Sequence, residues 1–288
     1  MSGALAHQRP AARRRLARLI LAALVLVHLG ALFAYTLYQW QARAVALYLD
    51  ARAQWRDGHL DVAASEFTAF LAERPRVTFP VVLYKSFPTA ADAAFALGRV
   101  EAERGRVEAA LAAFRNSMRL QAGHGRREYR DLLLESGRGA ELATFAREEL
   151  AANPHSVNAA RDLGAALLAT GDPRGAAAAF DTALAALPPW LAEHDPGYRG
   201  GLSGEEALLL NLRSVAERLA GDGARADATC EALAAKMPAR VHLDRLCRAY
   251  VREAAGDRSG SRAALAGYLP PNPEEEALVK ALKARLDP

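Results

Sequence analysis

Two kinds of hydrophobic patterning divide the chain. From Leu19 to Tyr38 apolar residues run unbroken except for His28 and Thr36. A helix of that length measures about 30 Å, the thickness of a bilayer core. Beyond it, small and apolar residues recur at helical spacing and are punctuated by glycine. Ala160-x-x-Leu163-Gly164-x-x-Leu167 is followed by Gly171, Ala176, Phe180, Ala183 and Pro188, a proline expected to stop the unit's second helix. Ala94-x-x-Leu97-Gly98 is followed at the same intervals by Gly105, Ala110, Phe114 and Leu120. This spacing predicts pairs of amphipathic helices folded back on each other at a tight turn, where glycine reaches positive φ cheaply. No glycine or proline occurs from Ala31 to Asp57, so the apolar run and the first repeat helix are expected to form one continuous rod.

Alignment on the turn glycine gives six units, anchored at Gly58, Gly105, Gly137, Gly171, Gly221 and Gly256. The third is degenerate, with Leu142 and Ala146 at its key positions. The sixth departs most, with Ser261 in place of a small apolar residue and Arg252 at a position usually apolar. Two intervals are long enough to carry insertions. One lies near residues 76–90, where Val81, Val82 and Leu83 suggest a short extended piece. The other lies near 189–204 and is rich in glycine and proline. Their aromatic residues, Phe79, Phe87, Trp190 and Tyr198, serve either partner binding or packing on the array. In the tail, Pro273 and Glu274, Glu275 and Glu276 open a helix that Lys280, Lys283 and Arg285 close, an order that complements the helix dipole. Leu278, Leu282 and Leu286 are its expected buried stripe.

These units resemble the tetratricopeptide repeat, a helix–turn–helix module of about 34 residues. The resemblance implies an all-α, right-handed solenoid of about six helical hairpins on an N-terminal transmembrane helix. Residues 1–18 are then a basic tail, 19–38 a signal-anchor helix, 39–273 the solenoid with its insertions, and 274–288 a C-terminal capping helix. It also implies a concave surface lined by the first helix of each unit. The inward positions are Tyr48, Arg52 and Trp55; Asp92, Phe95 and Arg99; His124, Arg127 and Asp131; Asn158 and Arg161; Asn211 and Arg218; Tyr250 and Glu253. Five are arginines, whose planar guanidinium suits carboxylates. They point to a partner segment of acidic character, against the alternative that arginine simply solvates every face.

Charge changes the picture at the N-terminus alone. The net charge is +4, and Arg9, Arg13, Arg14, Arg15 and Arg18 precede the apolar run. Without them the chain is close to neutral, so nucleic-acid binding is not expected. The arginines place the N-terminus in the cytoplasm, and Tyr35, Tyr38 and Trp40 fit the far interface. The repeats are then expected in the periplasm, with a single pass through a bacterial inner membrane. Cleavage at Ala42-Arg43-Ala44 is the competing reading; the length of the run favours an anchor. Arg13-Arg14-x-Leu16 matches a twin-arginine signal poorly. His28 reads as an imidazole tolerated against lipid or another helix, not as a haem ligand. Cys230 and Cys247 are either buried thiols or one bridge, and buried thiols are favoured.

No HExxH, GxSxG, Walker or GxGxxG pattern occurs. Glu193-His194-Asp195 is the only local cluster of metal donors, and neighbours on a loop seldom converge on one ion. No catalytic, cofactor or metal residues are assigned. The expected function is a non-catalytic scaffold or assembly factor that binds a protein partner on the periplasmic side. The alternatives are a holdase for secreted clients and a non-catalytic accessory subunit of a membrane-associated enzyme complex.

Overall fold

A computed structural model describes residues 9–73, 89–194, 203–236, 244–270 and 273–287. Among them the chain is all-helical, with thirteen helices and no strand. It forms two compact units, Met1–Gly125 and Arg126–Pro288.

In the first unit, α1 (Arg9–Arg56) and α2 (Leu60–Glu73) form one hairpin, and α3 (Ala90–Glu103) and α4 (Val107–Leu120) a second. α1 is a single helix of 48 residues, as the absence of glycine and proline anticipates. Its character changes along its length. Leu19, Leu26 and Leu32 are more than half exposed, whereas Gln41, Ala44 and Ala51 are buried. The shift from an all-round apolar surface to a one-sided stripe marks where hairpin packing begins. There Ala44 and Ala51 meet Ala63, Phe67 and Phe70 of α2. α3 opens with a capping box: the Asp92 amide donates to Thr89 Oγ1 at 3.0 Å, and the Thr89 amide donates to Asp92 Oδ2 at 2.7 Å.

The second unit holds α5 (Arg126–Glu135), α6 (Gly139–Ala152), α7 (Val157–Ala169), α8 (Pro173–His194), α9 (Gly204–Leu219), α10 (Gly223–Lys236), α11 (Arg245–Ala254), α12 (Arg258–Leu265) and α13 (Pro273–Leu286). Successive helices pair as four hairpins, and α13 packs on α5, α11 and α12. All six turn glycines foreseen from the sequence adopt positive φ, from 72° at Gly105 and Gly137 to 86° at Gly221.

The hairpins close around a glycine–phenylalanine contact. A Cβ on Gly98 would stand 2.5 Å from the Phe114 ring, and one on Gly164 would stand 2.4 Å from Phe180. Both rings are buried. A hydrogen at these positions lets the two helices approach to ring thickness. Ser261, flagged as a departure from the pattern, is fully buried; its hydroxyl donates to the Ala249 carbonyl at 2.8 Å. Ser117 does the same to Ala91 at 2.9 Å. Each buried serine hydroxyl thus has an acceptor that offsets its desolvation.

Two expectations need correction. Pro188 and Pro189 do not stop α8, which runs on to His194. Leu187 and Leu191, buried on either side of the pair, hold the helix against the core despite the two missing amide donors. Cys230 and Cys247 are not separate buried thiols. They form a disulfide between α10 and α11, with Cα atoms 5.9 Å apart. Residues 76–88 of the first insertion, with Val81 to Leu83, lie outside the described residues, while Thr89 and Ala90 open α3; Asp195 and Tyr198 of the second also lie outside.

Candidate interaction surfaces

In the first unit the foreseen groove residues form one connected patch on α1 and α3. Tyr48 is half-buried and packs edge-on to Phe67 at 5.7 Å; burial pushes its phenol above the ordinary tyrosine range. Trp55 Nε1 donates to Glu103 Oε2 at 2.8 Å, and the Arg99 guanidinium lies 5.2 Å from the Trp55 ring centroid. Arg52 and Arg99 are exposed. The Phe95 ring lies 5.0 Å from that of His124, tilted at 43°; His124 Nδ1 lies 2.9 Å from Ser117 Oγ and its Nε2 3.7 Å from Asp92. The patch therefore offers an aromatic floor and two exposed guanidinium groups, one of them stacked on tryptophan. Stacking fixes Arg99 while leaving its edge donors open.

The second unit treats its arginines differently. Asp162 is fully buried in α7, and Arg126 Nε donates to its Oδ2 at 2.8 Å. Arg130 and Arg161 approach its other oxygen at 3.7 and 3.8 Å. Arg126 also donates to Glu149 at 2.7 Å, and Arg161 to Glu205 at 2.6 Å. Burial pushes the Arg126 pKa down, but Asp162 and Glu149 outweigh it and hold the guanidinium above its ordinary value. Arg218 pairs with Asp227. Arg127 is the most exposed of these, with Asp131 at 3.5 Å. Asn158 is half-buried on α7.

Arg161 and Arg218 thus hold carboxylates of their own chain. Asn211 and Tyr250, expected to line the groove openly, are buried. Asn211 accepts from the Cys247 amide at 3.1 Å and donates to Glu275 at 3.1 Å. The Tyr250 hydroxyl donates to the Leu278 carbonyl at 2.9 Å. Burial pushes its pKa up to about 12, with Arg285 lowering and Glu253 raising it. The sequence reading missed Asp162 and Glu275. Both were marked by register: Asp162 sits three residues after Ala159 and four before Ala166, and Glu275 four before Val279, all of them buried.

Among the described residues no group of three or more His, Cys, Asp or Glu side chains is placed to hold a metal ion.

No family model matches the sequence, and no curated protein matches it. Among solved structures, a tetratricopeptide repeat protein from Parabacteroides merdae superposes with a TM-score of 0.53 at 16% identity, covering 84% of this chain and 86% of its own. PilW, a type IV pilus biogenesis factor, gives 0.48 at 16% identity over 82% of this chain and 98% of its own. PilF of Pseudomonas aeruginosa gives 0.46 at 14% over 84% and 99%. The first likeness shows the fold: this chain is an all-α solenoid of the tetratricopeptide-repeat type. The other two are too distant in superposition to bear on function.

Proposed function

We propose that this chain is a membrane-tethered, non-catalytic docking protein that binds a protein partner on the far side of a bacterial inner membrane from its arginine-rich tail. The observation that carries this reading is α1. Its first apolar stretch, from Leu19, is long and apolar enough to cross a bilayer and finds no cover in the fold. The same helix continues unbroken into the first repeat hairpin. The arginines before Leu19 favour a cytoplasmic N-terminus. The Cys230–Cys247 bridge suits an oxidising compartment such as the periplasm. Stacked helical hairpins present extended surfaces for protein partners, and tethering raises the local concentration of such a surface near other membrane proteins.

The docking face on this reading is the patch of Tyr48, Arg52, Trp55, Phe95 and Arg99 in the first unit. An acidic partner segment would find Arg52 and Arg99 exposed there. The test is partner retention from detergent extracts, with a periplasm-specific reporter fused after Pro288 to fix topology. The reporter should be active. One stoichiometric partner should be retained by the wild-type chain and lost with Trp55→Ala and Arg99→Ala at unchanged helicity. A silent reporter reverses the orientation, and retention of many unfolded clients in place of one partner replaces docking with holdase activity.

A further inference from the structure

α1 has two unlike sides. Past the apolar run, Ala44, Tyr48 and Ala51 turn one side towards Phe67 and Phe70 of α2. The opposite side is uncovered there: Ala46 is exposed and Leu49 is more than half exposed. Residues seven apart share one side of a helix that winds round another. Counting back from Leu49 in sevens gives Ala42, Tyr35, His28 and Leu21. Tyr35 and Leu21 are also more than half exposed. One open seam therefore runs from inside the apolar run into the first hairpin, on the side that α2 leaves free.

His28 sits at the middle of the part that would lie in lipid, nine residues after Leu19 and ten before Tyr38. At 1.5 Å per residue that is about 14 Å from either interface, beyond the reach of an imidazole. The other polar side chain of the run is satisfied within the helix, since Thr36 Oγ1 donates to the Phe33 carbonyl at 2.9 Å. His28 has no such partner among the described residues. A polar group in hydrocarbon is costly until it is hydrogen-bonded, and spans that carry one turn it towards a neighbouring helix. A second copy of this chain meets that need in three ways. A neutral imidazole carries one N–H donor and one bare nitrogen acceptor, so one imidazole is a partner for another. Copies of a single-pass chain enter the bilayer in the same direction, which brings the two histidines to the same depth. The seam stays clear of α2 beyond the bilayer, where Ala42 and Ala46 let two backbones come close.

We propose that α1 is a pairing helix: two copies of this chain associate in parallel along the seam from Leu21 to Leu49, with their His28 side chains hydrogen-bonded to each other. This rests on the reading of α1 as a membrane anchor and adds a second interface to it. Trp55 and Arg99 lie on the α3 side of the helix and stay open, so the pair presents two docking patches, and a partner with two acidic segments gains by engaging both.

The test uses the full chain, labelled after Pro288 with a donor or an acceptor fluorophore, with both populations reconstituted together in phosphatidylcholine vesicles. Energy transfer should rise saturably with the protein-to-lipid ratio and exceed that of randomly placed chains. His28→Leu should weaken association by about three- to tenfold, the range of one interhelical hydrogen bond in a bilayer. His28→Asn, which again offers a donor and an acceptor, should restore it. Leu49→Cys should give a disulfide-linked dimer on mild oxidation, and Ser65→Cys, exposed on α2, should not. Transfer at the random level, pairing indifferent to His28→Leu, or cross-linking through residue 65 in place of residue 49 overturns the proposal. So does a chain that is monomeric in pure lipid and captures an unrelated span through His28 in native membranes. Alkaline carbonate extraction keeps the two readings apart. A chain that resists extraction yet stays monomeric loses only the pairing, whereas one that washes off the vesicles loses the anchor as well.

Discussion

Replacing Gly164 with alanine sets two effects of known size against each other. In an ordinary helix interior the change stabilises by about 1 kcal/mol through helix propensity. Here the new Cβ would stand 2.4 Å from Phe180 Cε1 and 2.7 Å from Cδ1 and Cζ. Carbon atoms rest at about 3.5–4.0 Å, so the ring must retreat by roughly 1 Å. Phe180 is fully buried within the largest core cluster and has no free side to retreat to. Overpacking of this kind costs about 1–3 kcal/mol. With the ring unable to move aside, the packing cost lies at the upper end of that range, and Gly164→Ala is expected to destabilise by up to about 2 kcal/mol net. Gly98→Ala should do the same in the first unit, against Phe114. Urea unfolding followed by far-UV circular dichroism in detergent reads the shift. A second substitution isolates the cause: Phe180→Leu should cost less in the Gly164→Ala background than in the wild type, since it removes the clashing ring. A raised midpoint for Gly164→Ala, or strictly additive effects in the double variant, would refute the argument that hairpin closure rests on this contact.

Two further outcomes follow from other parts of the fold. The Cys230–Cys247 bridge closes a loop of 17 residues, which on the chain-entropy account contributes about 3 kcal/mol. Cys230→Ala with Cys247→Ala should lower the urea midpoint accordingly, and reductant should bring the wild type to the same value; a wild type indifferent to reductant would show that the bridge contributes nothing. Tyr250 keeps its proton in the folded chain up to about pH 12 but releases it near 10 when unfolded. The folded state then binds more protons than the unfolded state between those values, so stability falls as pH rises from about 10 to 12. Tyr250→Phe should flatten that decline, and an unchanged slope would place the alkaline sensitivity elsewhere.

The hairpins were readable because their signals are local. Turn glycines, small residues and the aromatic that faces them sit within one repeat, and each is dictated by the conformation or the gap it occupies. The long α1 was readable for a similar reason, since nothing between Ala31 and Asp57 could break it. What failed depends on tertiary context. Pro188 and Pro189 lack two amide donors, yet burial of Leu187 and Leu191 keeps the helix intact. The cysteine pairing depended on how α10 meets α11, which spacing alone does not fix. The groove reading did not foresee that Arg161 pairs with Glu205, from the next hairpin, and Arg218 with Asp227, from the partner helix of its own hairpin. Asn211 and Tyr250 are buried because α13, an element far along the chain, packs over them. Glu275 was read as complementing the dipole, although its register with Val279 and Leu282 already put it on the buried stripe.

With α1 as the anchor, its unbroken course makes geometry out of sequence length. Seventeen residues separate Tyr38 from Trp55, so the tryptophan stands about 25 Å beyond the interfacial tyrosine. Each residue added or removed in that stretch would raise or lower it by about 1.5 Å and swing it by about 100° around the helix axis. Height and compass bearing are therefore locked together, and a partner embedded in the same bilayer would meet Arg52, Trp55 and Arg99 only from one azimuth.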